Sequence, residues 1–367
     1  MPGSAAPRPL ASAMTRAEPP PSSAVAAGAR PPGEFPSAAL SAALRAALAG
    51  DAGARVAVAV SGGADSAMLA AHAAPLAREL GIELLLFHVH HGLQAAADGW
   101  AGHVQALGRI LGVPVHTAQA RVETASGLGI EAAAREARYA ALAELAARHG
   151  VGCILLAHHQ GDQAETVLLR LLRGTGLEGM AAMAPRMPRD GIVYLRPWLA
   201  QERAAILAAA AAFAARHDWR PVQDPTNADP RYTRAAVREL LAPVLDARWP
   251  GWRARLAGHA RHMSEAASIL DEVARADLAA LEPSADLRSF ALAPWRALPP
   301  ARQAHVLRHW LRGQGARMPT EARLADLLRQ LRQLHSLGHD RQMRVVHADH
   351  VVRCERGRVW LEPRDRA

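Results

Sequence analysis

The chain contains no lysine: every one of its 43 basic residues is arginine. Mechanisms that need a protein lysine, such as the phosphate clamp of a Walker A loop or a Schiff base, are therefore excluded. A GC-rich genome is a sufficient cause of this bias. The formal charge of +9 is uneven, because residues 301–367 hold 14 arginines against 7 acidic residues. This basic segment favours an anionic partner, nucleic acid first, although it could also be a merely solvated surface.

Cysteines, aromatic residues and long apolar runs are also scarce. The two cysteines, Cys153 and Cys354, lie far apart, which argues against a disulfide framework or a paired-cysteine metal site and fits a reducing cytoplasm. No apolar run approaches the roughly 18 residues that span a membrane, so the sequence predicts a soluble protein without a membrane partner. Aromatic residues make up 4% of the chain and hydrophobic residues 50%, so the core must consist mostly of Ala, Leu and Val.

The chain divides into three parts by composition. Residues 1–36 are rich in Pro, Ala and Ser, which predicts a disordered tail, because such a segment buries too little apolar surface to offset its ordering entropy. Its Arg, Ser and Ala content faintly resembles a transit peptide, but the prolines disfavour an amphipathic helix. We predict one domain over residues 37–230 and a mainly helical domain over 231–367. The stretch HDWRPVQDPTNADPRY, which breaks all periodicity, contains the boundary.

Apolar strands alternate with helices through the first domain. Continuous apolar strands of this kind predict an α/β fold with a parallel, doubly wound sheet covered on both faces. Beyond residue 229 helices dominate, and a short β-like end is possible in MRVVHADHVVRCERGRVWLEP. The predicted strands are 56–60, 82–89, 113–117 and 153–158, and the predicted helices are 37–49, 66–80, 97–111, 129–150, 163–173, 233–247, 251–281 and 301–312.

One strand passes directly into a helix through a turn without bulky side chains, in RVAVAVSGGADSAMLA. Because ligands of parallel α/β sheets bind outside the carboxyl ends of the strands, this turn is a predicted ligand site. Backbone N–H groups at a helix N-terminus bind phosphate, and glycines allow its close approach. A carboxylate beside phosphates indicates Mg²⁺. Alone, the two glycines would fit an ordinary tight turn equally well. The predicted phosphate-binding residues are Ser61, Gly62, Gly63, Ala64, Asp65 and Ser66.

The pattern SGGxDS after a first strand resembles the PP-loop of the ATP pyrophosphatases, which cleave ATP between its α and β phosphates. Four later stretches resemble successive signatures of the tRNA(Ile)-lysidine synthetase family, the last being its linker into the tRNA-binding part. Together they run through most of the chain, from about residue 55 to 363. The stretches are FHVHHGL (87–93), GIEAAAREARY (129–139), AHHQGDQAETVLLRLLRGTG (157–176) and DPTNADPRYTRAAVRELLAPVL (224–245).

The resemblance implies a cytoplasmic ligase that uses ATP and Mg²⁺. In the first step, ATP adenylates the carbonyl oxygen at carbon 2 of the wobble cytidine in the CAU anticodon of tRNA(Ile), and diphosphate leaves. In the second, the ε-amine of free L-lysine attacks that carbon and AMP leaves, which yields lysidine. Residues 37–230 are then the PP-loop catalytic domain, and residues 231–367 are the tRNA-binding domain.

The same resemblance assigns roles around the ATP. We expect His88 to lie beside the adenine or ribose, although the cluster of His88, His90 and His91 could instead shape the loop or bind zinc, for which no fourth ligand is obvious. Arg135 is expected to hold phosphate oxygens, although Arg135 and Arg138 share a helix face and could simply pair with acidic neighbours.

A second group of roles concerns lysine and tRNA. Asp65 and Asp162 are expected to share the Mg²⁺, and one of them to deprotonate the lysine amine with His159 as an accessory. Glu165, one turn beyond Asp162, is expected to contact the cationic lysine, although a helix dipole alone also favours acids at this place. Arg234 and Arg238 are expected to contact tRNA.

The sequence departs from the family in two places. Ala235 stands where the family usually has Asn after the arginine that matches Arg234, and the chain ends soon after RVWLEP, where longer members carry a further domain. Three rival functions remain: a tRNA 2-thiolating enzyme, which needs reactive or cluster-binding cysteines, a small-molecule PP-loop synthetase, which needs no basic helical domain, and an inactive tRNA-binding module.

Overall fold

The fold is that of a computed structural model. It describes residues 35–50, 53–90, 97–120, 130–224, 229–334 and 343–364. The predicted tail lies outside these residues except for Phe35 and Pro36. The Phe35 ring packs edge-on against His72 and Phe213, with ring centroids 5.1 Å apart in both contacts. No helix within the described ranges is long and apolar enough to cross a membrane.

The first part of the chain forms a six-stranded sheet with helices on both faces. Its strand order is β3-β2-β1-β4-β6-β5, and all neighbours are parallel except β5 and β6. The strands are β1 (Arg55–Ala59), β2 (Glu83–His90), β3 (Val115–Gln119), β4 (Cys153–Leu155), β5 (Arg186–Arg189) and β6 (Ile192–Leu195), and the helices are α1 (Ala38–Leu48), α2 (Ala64–Leu80), α3 (Ala97–Leu111), α4 (Ile130–His149), α5 (Gln160–Leu172), α6 (Leu177–Met180) and α7 (Arg203–His217).

Apolar residues on both sides of the central strand β1 explain why helices cover both faces of the sheet. Along β1, Val56 and Val58 belong to one core cluster, which α1, α2 and α7 complete. Ala57 belongs to the cluster on the other face, which α4 completes with residues such as Leu142 and Leu145. The prediction of a doubly wound parallel sheet is therefore confirmed.

The order of the strands reverses next to β1. The chain runs outward from β1 to β2 and β3, then returns to β4 on the other side of β1. In such sheets, the crevice at this reversal is where ligands bind. Two loops meet there, the turn from β1 into α2 and the turn from β4 into α5, and these are the two stretches in which the sequence places most of its predicted site residues.

Four elements of this part were not predicted from the sequence: the single-turn helix α6, strands β5 and β6, and helix α7. Strands β5 and β6 have four residues each, and β5 reads RMPR, so neither shows an apolar pattern long enough to identify. Helix α7 has apolar residues around most of its circumference and no side-chain N-cap. β5 also makes one edge of the otherwise parallel sheet antiparallel.

The second part of the chain combines helices with a small antiparallel sheet of order β7-β10-β9-β8. A separate core cluster lies between this sheet and the helices around it, and α10 packs against both α5 and α12, so it joins the two parts. The elements are α8 (Thr233–Ala236), a π-helical turn (Val237–Leu241), α9 (Ala242–Arg248), α10 (Trp252–Ala280), β7 (Ser289–Ala291), α11 (Leu292–Ala297), α12 (Pro300–Gly313), α13 (Glu321–Gln333), β8 (Met343–His347), β9 (His350–Glu355) and β10 (Arg358–Pro363).

Candidate active site

The turn between β1 and α2 is held in shape by its own hydroxyl groups. The Ser61 backbone N–H donates to the Ser66 hydroxyl over 3.1 Å, and the Ser66 hydroxyl in turn donates to the Gly63 carbonyl over 3.2 Å. Gly62 has a φ of +91°, which a residue with a side chain adopts only with strain, and its carbonyl accepts a hydrogen bond from Val222. The turn therefore presents the N-terminus of α2, a helix of 17 residues, to the crevice.

The turn between β4 and α5 is built as a reciprocal cap. The Asp162 backbone N–H donates to His159 Nδ1 over 3.3 Å, and the His159 backbone N–H donates to Asp162 Oδ2 over 3.0 Å. A Cβ atom on Gly161 would come within 2.9 Å of the His159 ring, so glycine leaves the space into which this ring folds. The cap thus fixes the positions of both His159 and Asp162.

The imidazole of His159 lies between the two predicted carboxylates. Its Nε2 is 3.5 Å from Asp162 Oδ2 and 3.9 Å from Asp65 Oδ1, so the two loops meet at this ring. Because Nδ1 accepts the Asp162 N–H, the hydrogen of the neutral ring is carried by Nε2 and faces the carboxylates. His159 is therefore placed to hold the two acids in position.

Two arginines from the second part of the chain reach the same carboxylates. Arg238, on the π-helical turn, donates to both oxygens of Glu165 over 2.6 and 2.9 Å and to Asp162 over 3.1 Å. Arg234 lies 4.0 Å from Asp162 and 3.9 Å from Glu165, and it donates to the Thr166 hydroxyl over 3.2 Å. The two arginines expected to contact tRNA thus contact the acids expected to bind metal and lysine.

Burial and charge shift the acid–base behaviour of this group. Burial opposes the ionisation of Asp162, but His159, His158 and Arg238 outweigh it and hold its pKa below the usual value. Burial likewise opposes the charge of Arg238, but Glu165 and Asp162 raise its pKa. Burial, together with Arg138, lowers the pKa of His158 to about 3 against the opposite effect of Asp162, so this ring is neutral near pH 7.

A cavity of about 820 Å³ opens over these loops. The turn from Ser61 to Ser66 forms one wall, Arg138 and Leu142 of α4 form a second, and Arg203 of α7 stands on a third. Arg203 was not singled out from the sequence, yet its guanidinium lies 3.4 to 3.5 Å from the Asp65 carboxylate. Nothing local could have revealed it, because 138 residues separate the two partners.

The remaining predicted residues lie around this cavity in different ways. His88 is buried and its Nδ1 donates to the Val60 carbonyl over 2.8 Å, so it ties β2 to the PP-loop strand. Arg135 donates to the Tyr139 hydroxyl over 3.3 Å, beside the cavity, whereas Arg138 lines it. His91 lies outside the described residues. Ala235 is buried.

The site offers two carboxylates as ligands for a divalent cation. Within the described ranges, no group of three or more His, Cys, Asp or Glu side chains could hold a metal ion by itself. Asp65 and Asp162 do converge on one histidine nitrogen next to the phosphate-binding turn. One or two carboxylates completed by substrate phosphates are the usual site for Mg²⁺, so the residues fit this ion together with a bound nucleotide.

Known proteins resemble both parts of the chain. Residues 37–245 match the family model of a PP-loop domain, and residues 290–360 match the TilS substrate binding domain. A tRNA(Ile)-lysidine synthase from Bordetella bronchiseptica is 68% identical over 309 residues, which cover 84% of this chain and 90% of that protein. One from Ralstonia nicotianae is 45% identical over 310 residues, which cover 84% of this chain and 64% of that protein.

One solved structure shares the fold. It is the U34-tRNA thiolase NcsA from Methanococcus maripaludis, with a TM-score of 0.51 and 14% sequence identity, covering 62% of this chain and 78% of that chain. This likeness bears on the fold alone. The two domain matches and the 68% identity to the Bordetella protein establish the family. The chain belongs to the tRNA(Ile)-lysidine synthase family and is a tRNA-modifying ligase with a PP-loop ATP-binding domain.

Proposed function

We propose that this enzyme ligates free L-lysine to carbon 2 of the wobble cytidine in the CAU anticodon of tRNA(Ile), through an adenylated cytidine, in the cytoplasm. The observation that carries the proposal is the meeting of Asp65, His159, Asp162 and Glu165 beside the PP-loop. Three carboxylates at a phosphate-binding turn suit a reaction that joins a cationic nucleophile to a carbon activated by ATP.

In the first step, the carbonyl oxygen of cytidine attacks the α phosphorus of ATP, and the bond to diphosphate breaks. The N-terminus of α2 and the Ser61 and Ser66 hydroxyls bind the leaving diphosphate. We assign Arg135 to the negative charge of the adenylate. Asp65 and Asp162 would hold Mg²⁺ together with phosphate oxygens, and the ion would supply positive charge beside the leaving diphosphate.

In the second step, the neutral ε-amine of lysine attacks carbon 2 and AMP departs with the bonding electrons. The side chain of free lysine is an ammonium near pH 7, so it must first lose a proton. Glu165 binds the ammonium, and one of the two carboxylates, Asp65 or Asp162, takes the proton; the lowered pKa of Asp162 makes this group a weaker base than an ordinary aspartate. His159 orients both acids. The second domain and Arg234 hold the tRNA by phosphate contacts.

A tRNA 2-thiolating activity is not supported by the cysteines. Cys153 and Cys354 are both buried, in the separate core clusters of the two parts of the chain. Neither can present a thiolate to the cavity.

The direct test is incorporation of labelled lysine into tRNA(Ile) bearing CAU, with ATP and Mg²⁺. The matched control is the same tRNA with the anticodon GAU, and a second control omits ATP. We expect lysine incorporation, AMP and diphosphate in equal amounts, with CAU only. ATP cleavage without transfer of lysine to the RNA would refute the proposal.

A further inference from the structure

Several arginines crowd around one buried tyrosine beside the catalytic cavity. The guanidinium carbons of Arg135, Arg138 and Arg189 lie 5.2, 5.7 and 4.6 Å from the centre of the Tyr139 ring, which is 1% exposed. Arg189 is neutralised by Glu136 over 2.5 Å. No described carboxylate forms an ion pair of this kind with Arg135 or Arg138, so their charges lie together largely uncompensated.

The pKa values of the buried arginines show that their charges repel each other. Burial lowers the pKa of Arg138, and Arg135 lowers it further by repulsion. Arg196, which is 3% exposed, has a pKa lowered by burial and by Arg135. Like charges held together in a partly buried place destabilise a fold, so a site of this kind is typical of anion binding.

Two nitrogen atoms at this wall have unused hydrogen-bonding capacity. Arg138 Nε and His158 Nδ1 are both buried, and neither has a hydrogen-bond partner among the residues that the structure describes. Both side chains line the cavity. A buried polar atom without a partner costs free energy, which an incoming acceptor with several oxygens would recover.

We propose that Arg138 and His158 form a second phosphate subsite in the cavity, which binds a backbone phosphate of the RNA next to the modified nucleotide. The proposal rests on the proposed function in that the RNA must enter this cavity. The triphosphate of ATP has its own site at the PP-loop, on another wall. A cytidine that reaches the cavity brings its flanking phosphodiesters with it, and their charge requires a partner.

The test combines a protein variant with a modified RNA. An anticodon stem-loop RNA with CAU is prepared unmodified and with a neutral methylphosphonate at either phosphate flanking the cytidine. The proteins are wild type, Arg138→Gln and the control Arg148→Gln, which removes an exposed charge from the same helix. Dissociation constants are measured at several salt concentrations without lysine, and ATP affinity is measured separately.

We expect Arg138→Gln and one methylphosphonate each to weaken RNA binding about tenfold, because each removes a charged hydrogen bond. Combined, they weaken it no further, since both act on one contact. Arg138→Gln also lowers the salt slope by about 0.7 to 0.9, as expected for one phosphate contact. The ATP affinity of Arg138→Gln stays unchanged, and the Arg148→Gln protein binds RNA as tightly as wild type.

Three results would overturn the proposal. If Arg138→Gln and the methylphosphonate together weaken RNA binding by the product of their separate effects, they act on independent contacts. If Arg138→Gln lowers ATP affinity but not RNA affinity, Arg138 binds the nucleotide. A melting temperature of Arg138→Gln well below wild type would make Arg138 a structural residue, because removal of a repelled charge must not destabilise the fold. A stem-loop RNA with the anticodon GAU separates the phosphate subsite from the proposed lysine ligation. If this RNA binds as tightly as the CAU stem-loop, and if Arg138→Gln and the methylphosphonate are again non-additive, the subsite stands although anticodon-specific lysine ligation loses support.

Discussion

Replacing Arg238 by methionine tests the junction between the two parts of the chain. The substitution keeps an apolar stem but removes three hydrogen bonds to Glu165 and Asp162. Glu165 is only 6% exposed, so its charge is left without its bidentate partner. Breaking a buried ion pair on one side costs about 3 to 5 kcal/mol. The Arg238 side chain is 30% exposed and Arg234 lies near, so we expect the lower end of that range.

A loss of about 3 kcal/mol corresponds to a fall in melting temperature of about 6 to 12 °C for a domain of this size. The assay is thermal unfolding followed by circular dichroism at pH 7.5. Arg203→Met is the matched control, because its ion pair with Asp65 is 50% exposed on the arginine side and should contribute little. If Arg238→Met loses no more stability than Arg203→Met, the pair with Glu165 is not a buried ion pair in solution.

The double variant Arg238→Met with Glu165→Gln sharpens the result. It removes the unpaired charge as well as its partner, so it should be more stable than Arg238→Met alone. Free lysine should also raise the melting temperature of Arg238→Met more than norleucine does, because only lysine brings a side-chain ammonium to the vacated carboxylates. Equal effects of lysine and norleucine would contradict the assignment of Glu165 to the lysine ammonium.

Three other perturbations test separate parts of the molecule. Asp65→Asn should reduce lysine incorporation at least about 100-fold with the melting temperature nearly unchanged, and wild-type turnover would remove Asp65 from the mechanism. His72 is buried, and this burial lowers its pKa. Below about pH 6.5 the unfolded chain therefore takes up a proton that the folded chain excludes, so the free energy of unfolding falls by up to about 1.4 kcal/mol per pH unit. Urea unfolding of wild type and His72→Gln from pH 7.5 to 5.5 measures this, and parallel curves would contradict it. The third perturbation neutralises three exposed arginines of the second part of the chain, Arg317, Arg344 and Arg356. The slope of log K for tRNA binding against log salt should shrink by about 0.7 to 0.9 per lost phosphate contact, while ATP affinity stays the same. An unchanged slope would show that these arginines do not contact tRNA.

Elements that follow a local pattern were predictable from the sequence. The predicted helix 97–111 coincides with α3, and the helix predicted at 66–80 begins only two residues after α2 does, at Ala64. Strands β1 and β2 are within one residue of their predicted bounds. These segments have many apolar residues at a regular spacing. β5 and β6 lack that signal, because four residues with a proline among them define no period.

The sequence alone determined where the phosphate-binding turn lies, because a strand, two glycines and a helix start are adjacent in the chain. It also identified Asp65, Asp162 and Glu165 as acids near the N-termini of helices that directly follow strands, since their order along the chain decides this. Only the tertiary structure decided their partners. Arg238 meets Glu165 across 73 residues and Arg203 meets Asp65 across 138. Such pairs depend on how α7 and the π-helical turn pack over the sheet edge, and no local spacing encodes that packing.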